Sequence, residues 1–201
     1  MIDVHAKKKL GQFTLDASLA DGGFICLTGG NGSGKTCLMR AVAGLLPLEE
    51  GHVRINGTDV TRFPLEARGV VMVTPGSLLP HMSVEAHLTW GSRLKNLKIP
   101  SERLSLVKKE LGIDFAGRVS ELSLGMRERV SLATALVSSP KVILVDEAFS
   151  NIHDRVDFMA AYRRFVSDAG IDLIFSTQDR SDGAHSDHLY VMSDGVAEKL
   201  F

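Results

Sequence analysis

Gly29-Gly30-Asn31-Gly32-Ser33-Gly34-Lys35-Thr36 follows a short apolar run, Phe24-Ile25-Cys26-Leu27, and leads into Cys37-Leu38-Met39-Arg40-Ala41-Val42-Ala43. The flanks read as a buried strand and a helix. Closely spaced glycines let successive backbone N–H groups converge on one anion, and the positive end of the following helix adds to the attraction. Gly29, four residues, then Gly34-Lys35-Thr36 is the spacing of a phosphate-binding loop. In such a loop Lys35 reaches the outer phosphates of a nucleotide, and the Thr36 hydroxyl binds Mg²⁺.

A second run, Val142-Ile143-Leu144-Val145, ends in Asp146-Glu147. Two carboxylates at the end of a buried strand suit a nucleotide site, Asp146 holding the metal and Glu147 polarising an attacking water. Val70-Val71-Met72-Val73 and Leu173-Ile174-Phe175 are further runs without polar alternation, as expected of parallel strands buried on both faces. Phe13, Leu15, Ala17 and Leu19 alternate with polar residues, which predicts a half-exposed antiparallel strand. Val53-Arg54-Ile55 before the turn signal Asn56-Gly57 extends that edge, and Asp194-Gly195 predicts a closing hairpin. From about 83 to 137 the pattern is helical. Leu104, Val107 and Leu111 lie on one face after Pro100-Ser101, and Met126, Val130, Ala133 and Val137 form another stripe.

The 201 residues, 44% hydrophobic and 23% charged, suit one generous domain. The organisation expected is a core of about 1–82 and 138–201 with a helical subdomain of about 83–137. No apolar run approaches the ~20 residues that cross a bilayer. Two cysteines, Cys26 and Cys37, make no disulfide framework, and a reducing compartment fits. A net charge of −1 gives no general reason to expect a nucleic-acid partner.

Between the two site halves lies Glu121-Leu122-Ser123-Leu124-Gly125-Met126-Arg127-Glu128-Arg129-Val130. It is similar to the Leu-Ser-Gly-Gly-Gln signature of the ATP-binding cassette ATPases, and with the phosphate loop before it and Asp146-Glu147 after it the whole chain resembles that family. The resemblance implies an α/β P-loop NTPase with a RecA-like parallel sheet core, an N-terminal antiparallel β edge and an inserted helical subdomain. It implies ATP and Mg²⁺ as cofactors, with Ser123 and Gly125 of one subunit closing the nucleotide on another. The partners implied are a homodimer or a heterodimer with another such ATPase, and an integral membrane permease at the cytoplasmic face. Lys9 to Leu15 and Leu78 to Val84 resemble importers of the molybdate/tungstate type. The chain ends soon after Asp194-Gly195, so no appended regulatory domain is expected.

Several positions depart from the family pattern. Thr74 stands where the family has a metal-sensing Gln, and Gln178 where a His contacts the γ-phosphate. Leu124 and Met126 replace a Gly and the Gln of the signature, and His153 replaces an Asp. A neutral carboxamide cannot carry imidazolium charge, so a working but slow ATPase is expected. The alternatives are an ATP-binding regulatory subunit with little hydrolysis, or a soluble P-loop kinase, which the Arg127-x-Arg129 helix disfavours. Phe13 either stacks on adenine or points into the core with Leu15. Cys37 suits packing, Asp182, His185, Asp187 and His188 read as ordinary polar residues, and Trp90 and Leu94 suit either permease docking or core.

Overall fold

A computed structural model describes residues 1–201. The first layer is an antiparallel sheet in the order β2-β1-β4-β5, from β1 (Ile2–Leu10), β2 (Phe13–Asp21), β4 (Glu50–Ile55) and β5 (Thr58–Asp59). Strand β2 behaves as its alternation predicts, with Leu15, Ala17 and Leu19 buried. Strand β1 is hidden in the sequence by Lys7-Lys8-Lys9, but Ile2, Val4 and Ala6 bury its inner face. Asn56 and Gly57 both take positive φ, 50° and 77°, as a tight β4–β5 turn requires.

The second layer is a six-stranded sheet ordered β10-β9-β3-β8-β7-β6. Its strands are β3 (Phe24–Thr28), β6 (Val70–Val73), β7 (Val142–Asp146), β8 (Asp172–Thr177), β9 (His188–Ser193) and β10 (Val196–Lys199). Strands β9, β3, β8, β7 and β6 run parallel, and β10 turns back on β9 through Asp194-Gly195. Strands β3, β7 and β8 are buried along their whole length. Strand β6 corrects the expectation of burial on both faces: Val70, Val71 and Met72 are only half-buried, because β6 is the sheet edge.

One core lies between the two sheets around α1 (Lys35–Ala43). The other lies under α2 (Val84–Leu94), α3 (Ser101–Glu110), α4 (Leu124–Val137) and α5 (Arg155–Asp168). Helix α4 is buried on nearly every side from Val130 to Val137, more than a single stripe. Phe24, Phe149, Phe158, Tyr162 and Phe175 cluster in this second core, with ring centroids of contacting pairs 5.0 to 6.4 Å apart.

The loop after β6 is tied to the helices by buried His87. Its Nε2 accepts from the Leu79 N–H at 3.2 Å, so the ring proton sits on Nδ1, facing the Thr134 hydroxyl at 2.8 Å. Burial holds this imidazole below the ordinary histidine value of 6.5. As pH falls below that value the unfolded chain binds a proton that the folded chain resists, so this contribution to stability is lost toward acid. The stability advantage of the wild type over His87→Gln, read from urea midpoints, should therefore shrink between about pH 7.5 and about pH 5.5. A constant difference would show that His87 does not titrate in this way.

Candidate functional site

The loop Gly29–Gly34 connects β3 to α1. Gly34 stands just before α1 with a φ of 107° that no other residue adopts easily, and no side chain caps the first turn of the helix. The N–H groups of Gly34, Lys35, Thr36 and Cys37 therefore lack any protein acceptor and point out of the helix start. The Lys35 side chain, only 5% exposed, folds back to donate to the Gly29 and Gly30 carbonyls at 2.7 and 3.0 Å. Ser33 Oγ is buried in the same loop without a partner. A convergent set of unpaired amides, one ammonium and an orphaned hydroxyl is the chemistry of a phosphate cradle.

Strand β7 delivers Asp146 to this loop. Its Oδ2 accepts from the Thr36 hydroxyl at 2.8 Å, and its Oδ1 accepts from Ser176 at 2.6 Å. A hydroxyl oxygen and a carboxylate oxygen side by side are the hard ligands that Mg²⁺ takes. Glu147 follows with φ of 58°, so the chain turns sharply and its half-exposed carboxylate leaves the sheet. There Gln178 Nε2 donates to Glu147 Oε1 at 3.1 Å. Lys35, Thr36, Asp146, Glu147 and Gln178 thus stand at the carboxyl ends of neighbouring parallel strands, where ligands bind in open α/β sheets.

Phe13 lies on the face that carries Leu15, Ala17 and Leu19, yet its ring extends beyond that core. A Cβ at Gly34 would meet Phe13 Cζ at 2.9 Å, so the half-buried ring rests over the phosphate loop. Cys37 is half-buried and packs against the core between the sheets. Thr74 is not joined to the carboxylates: its N–H and hydroxyl meet Ser77 Oγ at 2.9 and 2.8 Å in a local turn. Ser123 and Gly125 make no hydrogen bond to the phosphate loop either. Ser123 caps α4 by accepting from the Met126 N–H at 3.3 Å. Gly125 packs so closely on the Asn151 carbonyl that a Cβ there would lie 2.8 Å from it. Asn151 in turn donates to buried Glu128 at 2.7 Å, tying α4 to the loop after Glu147, where His153 is exposed. Of the four polar residues near the end, Asp182 accepts from Thr177 at 2.7 Å, Asp187 from the Phe24 N–H at 2.8 Å, and His188 faces Asp21 at 3.4 Å. His185 offers its carbonyl to Arg163 at 3.2 Å.

Sequence patterns do not reveal Ser176. The one visible signal is a polar pair, Ser176-Thr177, closing an otherwise apolar strand beside the one that ends in Asp146.

A phosphate loop facing a carboxylate pair across a parallel sheet, with an antiparallel layer on one side and inserted helices on the other, defines a nucleotide-binding P-loop domain. The chain belongs to the ABC transporter family, whose sequence model matches residues 13–150. It is 35% identical over 199 residues to the sn-glycerol-3-phosphate import ATP-binding protein UgpC of Escherichia coli (strain K12), covering 93% of this chain and 54% of that protein. It is 37% identical over 192 residues to the spermidine/putrescine import ATP-binding protein PotA of Pseudomonas fluorescens (strain Pf0-1), covering 90% of this chain and 52% of that one. The chain spans about half the length of these curated relatives. A solved ATP binding subunit of an ABC transporter superposes with a TM-score of 0.85 over the whole chain and 90% of its own, at 20% identity, which speaks to the fold alone.

Proposed function

We propose that this chain is the ATP-binding and hydrolysing subunit of an importer, working from the cytoplasmic face of the membrane. The observation that carries the proposal is the hydrogen-bonded line from Thr36 through Asp146 and Ser176 to Glu147 and Gln178 beside an uncapped phosphate loop. The import ATP-binding relatives support the direction of transport. Two of them are named for cargoes of opposite charge, a phosphate ester and a polyamine. The molybdate/tungstate type therefore rests only on the resemblance of Lys9–Leu15 and Leu78–Val84 to such importers, although a third relative is named for the oxyanions sulfate and thiosulfate.

In this reading the phosphate groups of ATP lie on the amides of Gly29–Cys37 with Lys35 against the outer two, and Phe13 offers its flat ring to adenine. Thr36 and Asp146 would hold Mg²⁺, which when bound offsets charge on the phosphate oxygens. Glu147 takes a proton from the water that attacks the γ-phosphorus. The bond from that phosphorus to the bridging oxygen breaks, leaving ADP and phosphate. Gln178 orients the Glu147 carboxylate through their hydrogen bond. Ser123 and Gly125, which this chain keeps away from its own loop, serve the site of a second subunit placed head to tail.

The permease occupies the groove between β6 and α2, about 560 Å³ and lined by Val71, Leu78, Leu79, Trp90 and Leu94. Trp90 and Leu94 are 40% and 67% exposed, and a short apolar helix of a membrane subunit would cover them.

Lys35→Ala should weaken ATP binding about ten- to hundredfold, the loss of one charge-assisted contact; unchanged affinity by calorimetry would remove the phosphate loop from the site. Gln178→His, which restores a group able to share positive charge, should raise kcat about tenfold, or ~1.4 kcal/mol of barrier, with little effect on ATP affinity. If steady-state turnover does not rise, even alongside Thr74→Gln, these two positions do not limit the reaction. Leu94→Glu combined with Trp90→Ala should abolish co-purification with the membrane subunit while leaving ATP binding intact. Retention of that association would place the permease elsewhere.

A further inference from the structure

Ser176 is 2% exposed and lies in the last turn of the pleat of β8, in register with Asp146 on β7. Its single hydroxyl does two things at once. It donates to Asp146 Oδ1 at 2.6 Å and accepts from the Glu147 N–H at 3.0 Å. Asp146 Oδ1 and the Glu147 N–H have no other hydrogen-bond partner, so the serine is what pairs them both.

We propose that Ser176 is a positioning residue that sets the Asp146 carboxylate and the Glu147 backbone together, and so aligns the metal-holding and water-activating groups. The proposal rests on the functional reading given to Asp146 and Glu147 above. A carboxylate on a strand end can turn about its side-chain bonds, and binding Oδ1 from the side of β8 turns Oδ2 to Thr36, 2.8 Å away. Glu147 sits at φ 58°, a conformation unfavourable for a residue with a Cβ. In that conformation its N–H leaves the sheet ladder, and the serine oxygen is the acceptor that keeps it paired. One hydroxyl therefore couples the orientation of two neighbouring carboxylates. Outer partners of this kind fix the ligand geometry without touching the ligand themselves.

The test compares Ser176→Ala, which removes the hydroxyl, with Ser176→Thr, which keeps it on a residue suited to a strand. Hydrolysis is measured against Mg²⁺ and ATP concentration, and ATP binding in excess chelator gives the metal-free affinity. Ser176→Ala should raise the Mg²⁺ concentration for half-maximal rate about tenfold and lower kcat by about tenfold, with KM for ATP and metal-free ATP affinity within about twofold of wild type. Ser176→Thr should return both quantities toward wild type. Should Ser176→Ala not fold, Ser176→Cys supplies the comparison, since a thiol is close in size but a weak donor.

Asp146→Asn separates the two layers of the argument. If Asp146→Asn keeps a normal Mg²⁺ dependence, the assignment of Asp146 fails. If Asp146→Asn loses that dependence while Ser176→Ala matches wild type, the role of Ser176 is overturned. Equal losses in Ser176→Thr and Ser176→Ala would also overturn it, because the hydroxyl would then not be what matters.

Discussion

Thr36 and Asp146 are 110 residues apart in the chain, and the 2.8 Å hydrogen bond between their side chains requires two distant strand ends to finish at one level. Strand β8 lies between β3 and β7 and sets that level. It pairs Thr28 with Thr177 on one side and Asp146 with Ser176 on the other. A register slip of one residue in either ladder would turn every side chain to the opposite face and carry the carboxylate away from the loop. A buried carboxylate must also find donors, and Asp146 has two hydroxyls, Ser176 from the adjoining strand β8 and Thr36 from the start of α1. The sheet order and the site are therefore one constraint seen at two scales.

Glu147 shows how the interior supports an unfavourable backbone. A positive φ on a non-glycine residue costs of order 1 kcal/mol and persists only where surrounding contacts fix it. Ser176 accepts from its N–H, Ser150 donates to its carbonyl, and two residues on Phe149 is buried against four other aromatic rings. Removing that ring would cost ~3–5 kcal/mol by the usual range for a buried Phe, far more than the turn itself costs. Burial of Phe149 thus holds the chain in the turn that sends the Glu147 carboxylate away from the sheet and toward Gln178.

The phosphate loop, the Asp146-Glu147 strand end and the Asn56-Gly57 and Asp194-Gly195 turns were legible because each is a local pattern whose chemistry sits in consecutive residues. The buried strands β3, β7 and β8 were legible for the same reason. Strand β1 was obscured because Lys7, Lys8 and Lys9 break its alternation, and only its antiparallel neighbours β2 and β4 show that Ile2, Val4 and Ala6 face inward. The half-exposure of β6 depends on its being outermost, which no window of its own residues records. Ser176, the Asn151–Glu128 bond and the contact of Phe13 with Gly34 are products of pairing between distant segments. Motif spacing has no means of expressing them.

The same topology ties the strand-end cluster to the groove. Val73 pairs with Val145, so Thr74, the next residue, leaves the sheet beside the strand that ends in Asp146. The segment then turns at Thr74–Ser77, where the Ser77 carbonyl accepts from Ser131 of α4 at 3.0 Å. Two residues later Leu79 is held by His87 of α2, and both Leu78 and Leu79 line the groove. Six residues thus run from the end of the sheet to the wall of a surface groove, pinned on the way to α4 and to α2. A displacement of α2 by anything seated in that groove must pull on Leu79 through the His87 hydrogen bond. With Ser77 fixed to α4, a pull on Leu79 reaches Thr74 only if Ser77 and α4 move with it. The shorter link is the sheet itself, since Val73 both lines the groove and pairs with Val145, the residue before Asp146.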